Sequence, residues 1–160
     1  MPRTMMRART TAIVLMLCVV GATACFAQDA AFLGTWKLKE AKSEFSSGAA
    51  KNTTVVYEAV RDKIKVTVDS VSSDGKPTHY TWVGKFDGND YPVTGDPTSD
   101  ARSYTKVDDR VLGFNISRGG KLVTSGRIEL SADGKTRTVT MSGGDGKGHT
   151  VSSTEVYEKQ

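Results

Sequence analysis

The chain has 160 residues and a net charge of +4, and its two cysteines, Cys18 and Cys25, lie near the N-terminus. Three arginines among the first nine residues carry most of the excess charge, because the rest of the chain has 19 basic and 18 acidic residues. A nearly neutral body argues against nucleic acid or an anionic membrane surface as the partner, and the length suits one domain with a single core.

Residues 1–27 have the three parts of a secretory signal. Basic residues precede an apolar run at 12–20, and small residues follow as far as Ala27. The run is shorter than the roughly 20 residues of a membrane-spanning helix. We therefore predict cleavage after Ala27, export to the periplasm or the extracellular space, and one cysteine-free domain over 28–160 without a transmembrane segment. Lipidation at Cys25 and an uncleaved N-terminal anchor remain as alternatives.

From Leu33 onward, apolar and polar residues alternate with a period of two, which is typical of half-buried strands. The clearest case is Ile64, Val66 and Val68 with polar residues between them. Glycine-containing turn signals separate the runs. The predicted strands are 33–39, 53–60, 63–71, 78–87, 90–93, 102–108, 110–117, 121–131, 136–143 and 150–159. This pattern predicts an all-β fold, a closed antiparallel up-and-down barrel of about 8–10 strands whose last strand pairs with its first.

Two stretches interrupt the alternation. Residues 41–51 predict a short helical segment after the first strand, and residues 91–100 contain two prolines and a glycine and predict an ordered loop. If the barrel is filled by its own side chains, these two loops give an alternative function. The protein would then be an interaction module that binds a protein or cell-envelope partner through 41–51 and 91–100.

Two motifs carry a family resemblance. The opening Gly34-Thr35-Trp36-Lys37-Leu38 and the ending Ser153-Thr154-Glu155-Val156-Tyr157-Glu158-Lys159 resemble the first and last strands of the calycins, the lipocalins and fatty-acid-binding proteins. The chain also resembles bacterial secreted lipocalin-like proteins. The resemblance implies a barrel of eight or ten strands that is closed at one end by Gly34 and Trp36 and binds a small hydrophobic ligand in its interior.

One position departs from the fatty-acid-binding pattern. In that family the last strand carries an arginine two residues before a tyrosine, and both hold the ligand carboxylate. Tyr157 matches the tyrosine, but Glu155 occupies the arginine position. Because a buried glutamate would repel a carboxylate, we expect a small apolar ligand that is neutral or cationic.

Aromatic residues on the alternating faces supply candidate contacts for such a ligand. The predicted ligand-binding residues are Tyr57, Tyr80, Trp82, Phe86, Tyr104, Phe114, Glu155 and Tyr157. The alternative is an ordinary packed core, which aromatic side chains also dominate. A low apolar content for a ten-strand barrel favours a cavity.

No motif in the sequence indicates catalysis. There is no Gly-x-Ser-x-Gly sequence, and no cysteine follows residue 27. His79 and His149 lie next to predicted turns and are interpreted as surface residues, while Asp96 and Asp100 form one weak cation candidate. We therefore predict a non-enzymatic protein with no catalytic residues, no metal site and no cofactor.

Overall fold

The computed structural model describes residues 29–144 and 148–160. The predicted signal segment at 1–27 and the predicted turn at 145–147 lie outside the described residues. Among the described residues, no helix has the length and apolar character needed to cross a membrane.

The described chain forms strands, with one 3-10 turn at Glu40–Lys42. In chain order the strands are β1 (Gly34–Leu38), β2 (Glu44–Phe45), β3 (Lys51–Val60), β4 (Lys63–Val71), β5 (Pro77–Gly84), β6 (Tyr91–Thr94), β7 (Ala101–Asp108), β8 (Val111–Arg118), β9 (Lys121–Leu130), β10 (Thr136–Gly144) and β11 (Thr150–Lys159).

Ten of these strands close into a barrel. Each strand from β3 to β11 pairs antiparallel with the next, β1 pairs with β3, and β11 returns to pair with β1. The closing register places Trp36 opposite Lys159 and Leu38 opposite Tyr157. Closure gives each of the ten described barrel strands two neighbours, and the short β6 pairs with only two residues of β5 and two of β7. The predicted all-β, closed antiparallel barrel is confirmed.

The segment after the first strand differs from the prediction. Only the 3-10 turn at Glu40–Lys42 is helical, and β2 follows it at once. β2 pairs along β11, with Phe45 opposite Ser153, and the Ser46 amide donates to the Ser152 carbonyl at 2.9 Å. These backbone bonds satisfy a segment that is too short and polar to form a stable helix alone.

The stretch 91–100, which was predicted to be a loop, is only partly a loop. Its first four residues form β6, so the loop covers only residues 95–100, which we call the mouth loop. Pro92 is tolerated because β6 makes only two residue pairs with each neighbouring strand. Gly95 turns the chain with φ of +91°, and a side chain there would meet the His79 carbonyl oxygen at 2.6 Å.

Large aromatic side chains fill the end of the barrel nearest Phe32. Trp36 is fully buried, and its Nε1 donates to the Phe32 carbonyl at 2.9 Å. Trp82 packs edge-on against Tyr104 with ring centroids 4.8 Å apart, and it stacks on Phe86 at 6.3 Å. This filled part is the closed end, and it leaves room for a cavity only toward the opposite end.

Candidate ligand-binding cavity

A cavity of about 500 Å³ occupies the half of the barrel away from the closed end. Its mouth is bordered by residues 48–50 and by Asp96, Pro97 and Thr98 of the mouth loop. The volume falls within the range of roughly 300–1,000 Å³ that is usual for small-molecule sites. The barrel therefore has interior space of the size that one small ligand needs.

Six of the eight predicted ligand-binding residues line this cavity: Tyr57, Tyr80, Tyr104, Phe114, Glu155 and Tyr157. The other two, Trp82 and Phe86, lie outside the lining in the aromatic packing of the closed end. Alternation shows which side chains point inward, but their depth depends on register. Trp82 pairs with Val66, whereas the lining residue Tyr80 pairs with Val68, one step nearer the mouth. Gly34 and Trp36 also lie outside the cavity lining.

Glu155 is the buried carboxyl group of the cavity wall. Its side chain is almost fully enclosed, with 1% of the residue exposed. The Tyr157 hydroxyl donates to its Oε2, and the Ser153 hydroxyl donates to its Oε1 at 3.1 Å. Burial raises the pKa of Glu155, and the two hydrogen bonds and the charge of Arg137 offset only part of that effect.

Arg137 on β10 is a buried cation that the sequence analysis missed. It is 3% exposed and lines the cavity. Its guanidinium carbon lies 4.4 Å from the ring centroid of Tyr157 and 5.2 Å from those of Trp36 and Tyr57. Within the described residues, its Nε and Nη1 have no hydrogen-bond partner. The alternation of Arg137 with Val139 and Met141 along β10 indicates that this arginine points into the barrel.

Arg102 on β7 is the second buried cation that the sequence analysis missed. Its guanidinium carbon lies 5.0 Å from the ring centroid of Tyr80, and its Nη1 donates to the Tyr80 hydroxyl at 3.4 Å. Its Nη2 lies 3.7 Å from Oδ2 of Asp96. Arg102 alternates with Tyr104 along the strand, so the same period-two rule would have placed it inward.

The mouth loop places Asp96 at the cavity wall, where its carboxylate faces the guanidinium of Arg102. Burial raises the pKa of Asp96, but hydrogen bonds from Ser99 and Thr98 and the charge of Arg102 outweigh it, so the net shift is downward. Asp100 points elsewhere and accepts a hydrogen bond from the Gly119 amide at 2.7 Å. The two residues of the weak cation candidate are thus engaged with different partners.

The two histidines lie on the surface, as the sequence analysis interpreted them. His79 is paired with Asp69, with Nδ1 and Oδ1 2.7 Å apart, on the outer face of β5. Within residues 29–144 and 148–160, no group of three histidine, cysteine or acidic side chains is placed to hold a metal ion.

Comparisons with known proteins give the chain no family name. No family model matches it, and no curated protein sequence matches it. Among solved structures it is similar to EF1p2_mFAP2b bound to DFHBI, with 11% identity, a TM-score of 0.47, and coverage of 83% of this chain and 97% of that one. A likeness this remote identifies no ligand for the present chain.

Proposed function

We propose that this protein is an exported, non-enzymatic barrel that binds one small, mainly apolar molecule in its interior. The observation that carries the proposal is the cavity of about 500 Å³ within an otherwise packed barrel. Protein interiors contain few voids larger than a water molecule, so a space of this size at the centre of a fold is best explained as a binding site. The signal-like pattern of residues 1–27 supports export.

The wall of the cavity is suited to an amphipathic molecule. Apolar side chains such as Val55, Val139 and Ile128 supply contact area, and buried polar side chains including Arg102, Arg137 and Glu155 lie in the same wall. The expectation of a neutral or cationic ligand rested on Glu155 alone. Arg102 and Arg137 add two permanent positive charges to the same wall, and the raised pKa of Glu155 favours its neutral form. The proposal therefore shifts to a ligand with a hydrogen-bond-accepting or anionic group.

The alternative of a filled interaction module is less well supported. Both loops invoked for it contribute to the mouth, through residues 48–50 and through Asp96, Pro97 and Thr98. We propose that these loops border the entrance of the ligand, and a protein or envelope partner remains the alternative.

The first test is the mass of the protein secreted by its native host, measured under native and denaturing conditions. We expect the native mass to exceed that of the chain by a few hundred daltons, and the denatured mass to distinguish cleavage after Ala27 from lipidation at Cys25. A bare chain that also fails to take up the neutral dye N-phenyl-1-naphthylamine would contradict the proposal.

A pair of tryptophan variants on β10 locates the binding site. Val139 faces the cavity, and Thr138 faces the other side of the sheet. We expect Val139→Trp to fill the cavity and abolish dye uptake, while Thr138→Trp leaves it unchanged. Far-UV circular dichroism shows whether both variants are folded. Equal uptake by the two folded variants would place the dye outside the barrel.

A further inference from the structure

An ion pair between Arg102 and Asp96 joins the barrel wall to the mouth loop. Nη2 of Arg102 and Oδ2 of Asp96 are 3.7 Å apart, and both side chains are 8% exposed. This separation is longer than the roughly 2.7–3.2 Å of a hydrogen bond. The two groups therefore attract each other electrostatically without forming a hydrogen bond. A buried ion pair without hydrogen bonds is poorly stabilised.

Not all N–H donors of the Arg102 guanidinium have a hydrogen-bond partner of good geometry. A guanidinium has five N–H donors. Among the described residues, Nε has no partner, and the bond from Nη1 to the Tyr80 hydroxyl is long at 3.4 Å. The backbone at this position is fixed, because Trp82 Nε1 donates to the Arg102 carbonyl at 2.8 Å. The backbone of Arg102 is thus held in place at the cavity wall, while its guanidinium makes a long hydrogen bond to the Tyr80 hydroxyl.

Asp96, in contrast, is satisfied by its own loop. Its Oδ1 accepts from the Thr98 amide at 2.8 Å and from the Thr98 hydroxyl at 2.7 Å, and its Oδ2 accepts from the Ser99 hydroxyl at 2.6 Å. These donors move with the loop, so the loop can withdraw from Arg102 without breaking them. The preceding strand β6 is short and makes only two residue pairs on each side.

We propose that Arg102 is the anion-binding position of the cavity, and that Asp96 occupies it as a built-in competitor until an anionic group of the ligand replaces it. A ligand oxyanion can approach Nη2 to about 2.7–2.9 Å, the distance of a charge-assisted hydrogen bond, which Asp96 does not reach. The displaced Asp96 carries the mouth loop outward. This inference rests on the proposed function, since it requires uptake of a small molecule by the cavity.

Two dyes that differ only in a sulfonate test the inference. They are 1-anilinonaphthalene-8-sulfonate, which is anionic, and N-phenyl-1-naphthylamine, which is neutral. We expect Asp96→Asn to tighten binding of the sulfonate roughly three- to tenfold, because the competing charge is gone, and to leave the neutral dye within about twofold. Asp100→Asn is the matched control: it removes a charge from the same loop, but Asp100 bonds the Gly119 amide rather than Arg102.

Two further measurements complete the test. In an Arg102→Gln background, Asp96→Asn should have no effect on the sulfonate. In the wild-type protein, hydrogen exchange of the Asp100 amide, which donates to the Ser117 carbonyl at 3.1 Å, should become faster with the sulfonate but not with the neutral dye. Unchanged exchange would overturn the displacement of the loop.

The outcomes separate the inference from the proposed function. If the neutral dye binds inside the barrel but Asp96→Asn and Asp100→Asn act alike on the sulfonate, the inference is overturned and the proposed function stands. If neither dye binds any folded variant, the proposed function fails for molecules of this size, and the inference fails with it.

Discussion

Arg137 and Tyr157 face each other across adjacent strands, and the guanidinium carbon lies 4.4 Å from the centroid of the tyrosine ring. The rings of Trp36 and Tyr57 lie 5.2 Å from the same carbon. Within the described residues, no carboxylate forms a salt bridge with this arginine. Three aromatic faces therefore stabilise the buried cation where an ion pair would be expected.

Removing this cation should weaken the fold. We expect Arg137→Ala to lower the free energy of unfolding by about 2–4 kcal/mol, because it removes desolvated cation–π contacts and leaves a void among three rings. Arg137→Met, which keeps most of the side-chain length, should lose about half as much. The measurement is urea denaturation. Arg127, which is half-exposed and paired with Glu129 on the outside of β9, is the control, and Arg127→Ala should change stability by under about 0.5 kcal/mol.

Glu155 should give the barrel an unusual dependence on pH. Burial raises the pKa of Glu155 above its ordinary value of 4.5. Between these two values the folded protein keeps a proton that the unfolded chain has released. The contribution of this group to stability is therefore greatest below the ordinary pKa and declines as the pH rises through the folded pKa. Glu155→Gln should gain stability relative to wild type as the pH is raised from about 4 to about 7.

A second glutamate provides the control for this titration. Hydrogen bonds from Lys39 and Lys42 lower the pKa of Glu158, so its contribution is present above the ordinary pKa and is lost as the pH falls. Urea denaturation of Glu158→Gln against wild type should therefore give a difference with the opposite slope. Parallel slopes for the two variants would show that burial does not raise the pKa of Glu155.

Substitution of two phenylalanines should distinguish a residue that contacts the ligand from one that only packs in the core. Phe114 lines the cavity, whereas Phe86 stacks on Trp82 at the closed end. Each substitution to alanine should cost about 2–4 kcal/mol of stability. Only Phe114→Ala should change the affinity for N-phenyl-1-naphthylamine, by about threefold or more. A larger effect from Phe86→Ala in dye titrations would mean that the ligand reaches the closed end.

Gly126 is required by the close approach of Phe114. A side chain at Gly126 would overlap both the Phe114 ring and the Thr140 carbonyl oxygen. We expect Gly126→Ala to lower the free energy of unfolding by about 1–3 kcal/mol, as overpacking does. Gly113 on β8 is the control, because the nearest atom to its added side chain would be 3.9 Å away. If Gly113→Ala is equally destabilising in urea, the loss reflects glycine in strands generally rather than this contact.

The sequence predicted the fold well because strand pattern and turn chemistry are local. Ile64, Val66 and Val68 alternate inward as expected, and β4 and β11 have the predicted bounds. β2 was missed because two residues carry no periodicity of their own, and its position depends on pairing with β11. Such pairing is a tertiary interaction that a local pattern does not contain.

The site was predicted less completely, and for a different reason. The aromatic candidates were chosen by residue type and alternation. Neither criterion shows how far along the barrel axis a side chain lies, so Phe114, which lines the cavity, was not distinguished from Phe86, which packs at the closed end. Arg102 and Arg137 follow the inward alternation of their strands. They were not predicted to point inward because charged residues are usually exposed. Their burial depends on aromatic neighbours from other strands, which the linear sequence does not bring together.

Strand β11 is hydrogen-bonded to β10 on one side and to β1 and then β2 on the other, so the last residues of the chain close the barrel. A nascent chain therefore cannot complete its hydrogen-bonded ring until residue 159 has been synthesised, and the pairing of Trp36 with Lys159 spans nearly the whole described sequence. Contacts of such long range slow folding. Loss of the final ten residues would therefore remove the closed ring, the Glu155 wall and the cavity together.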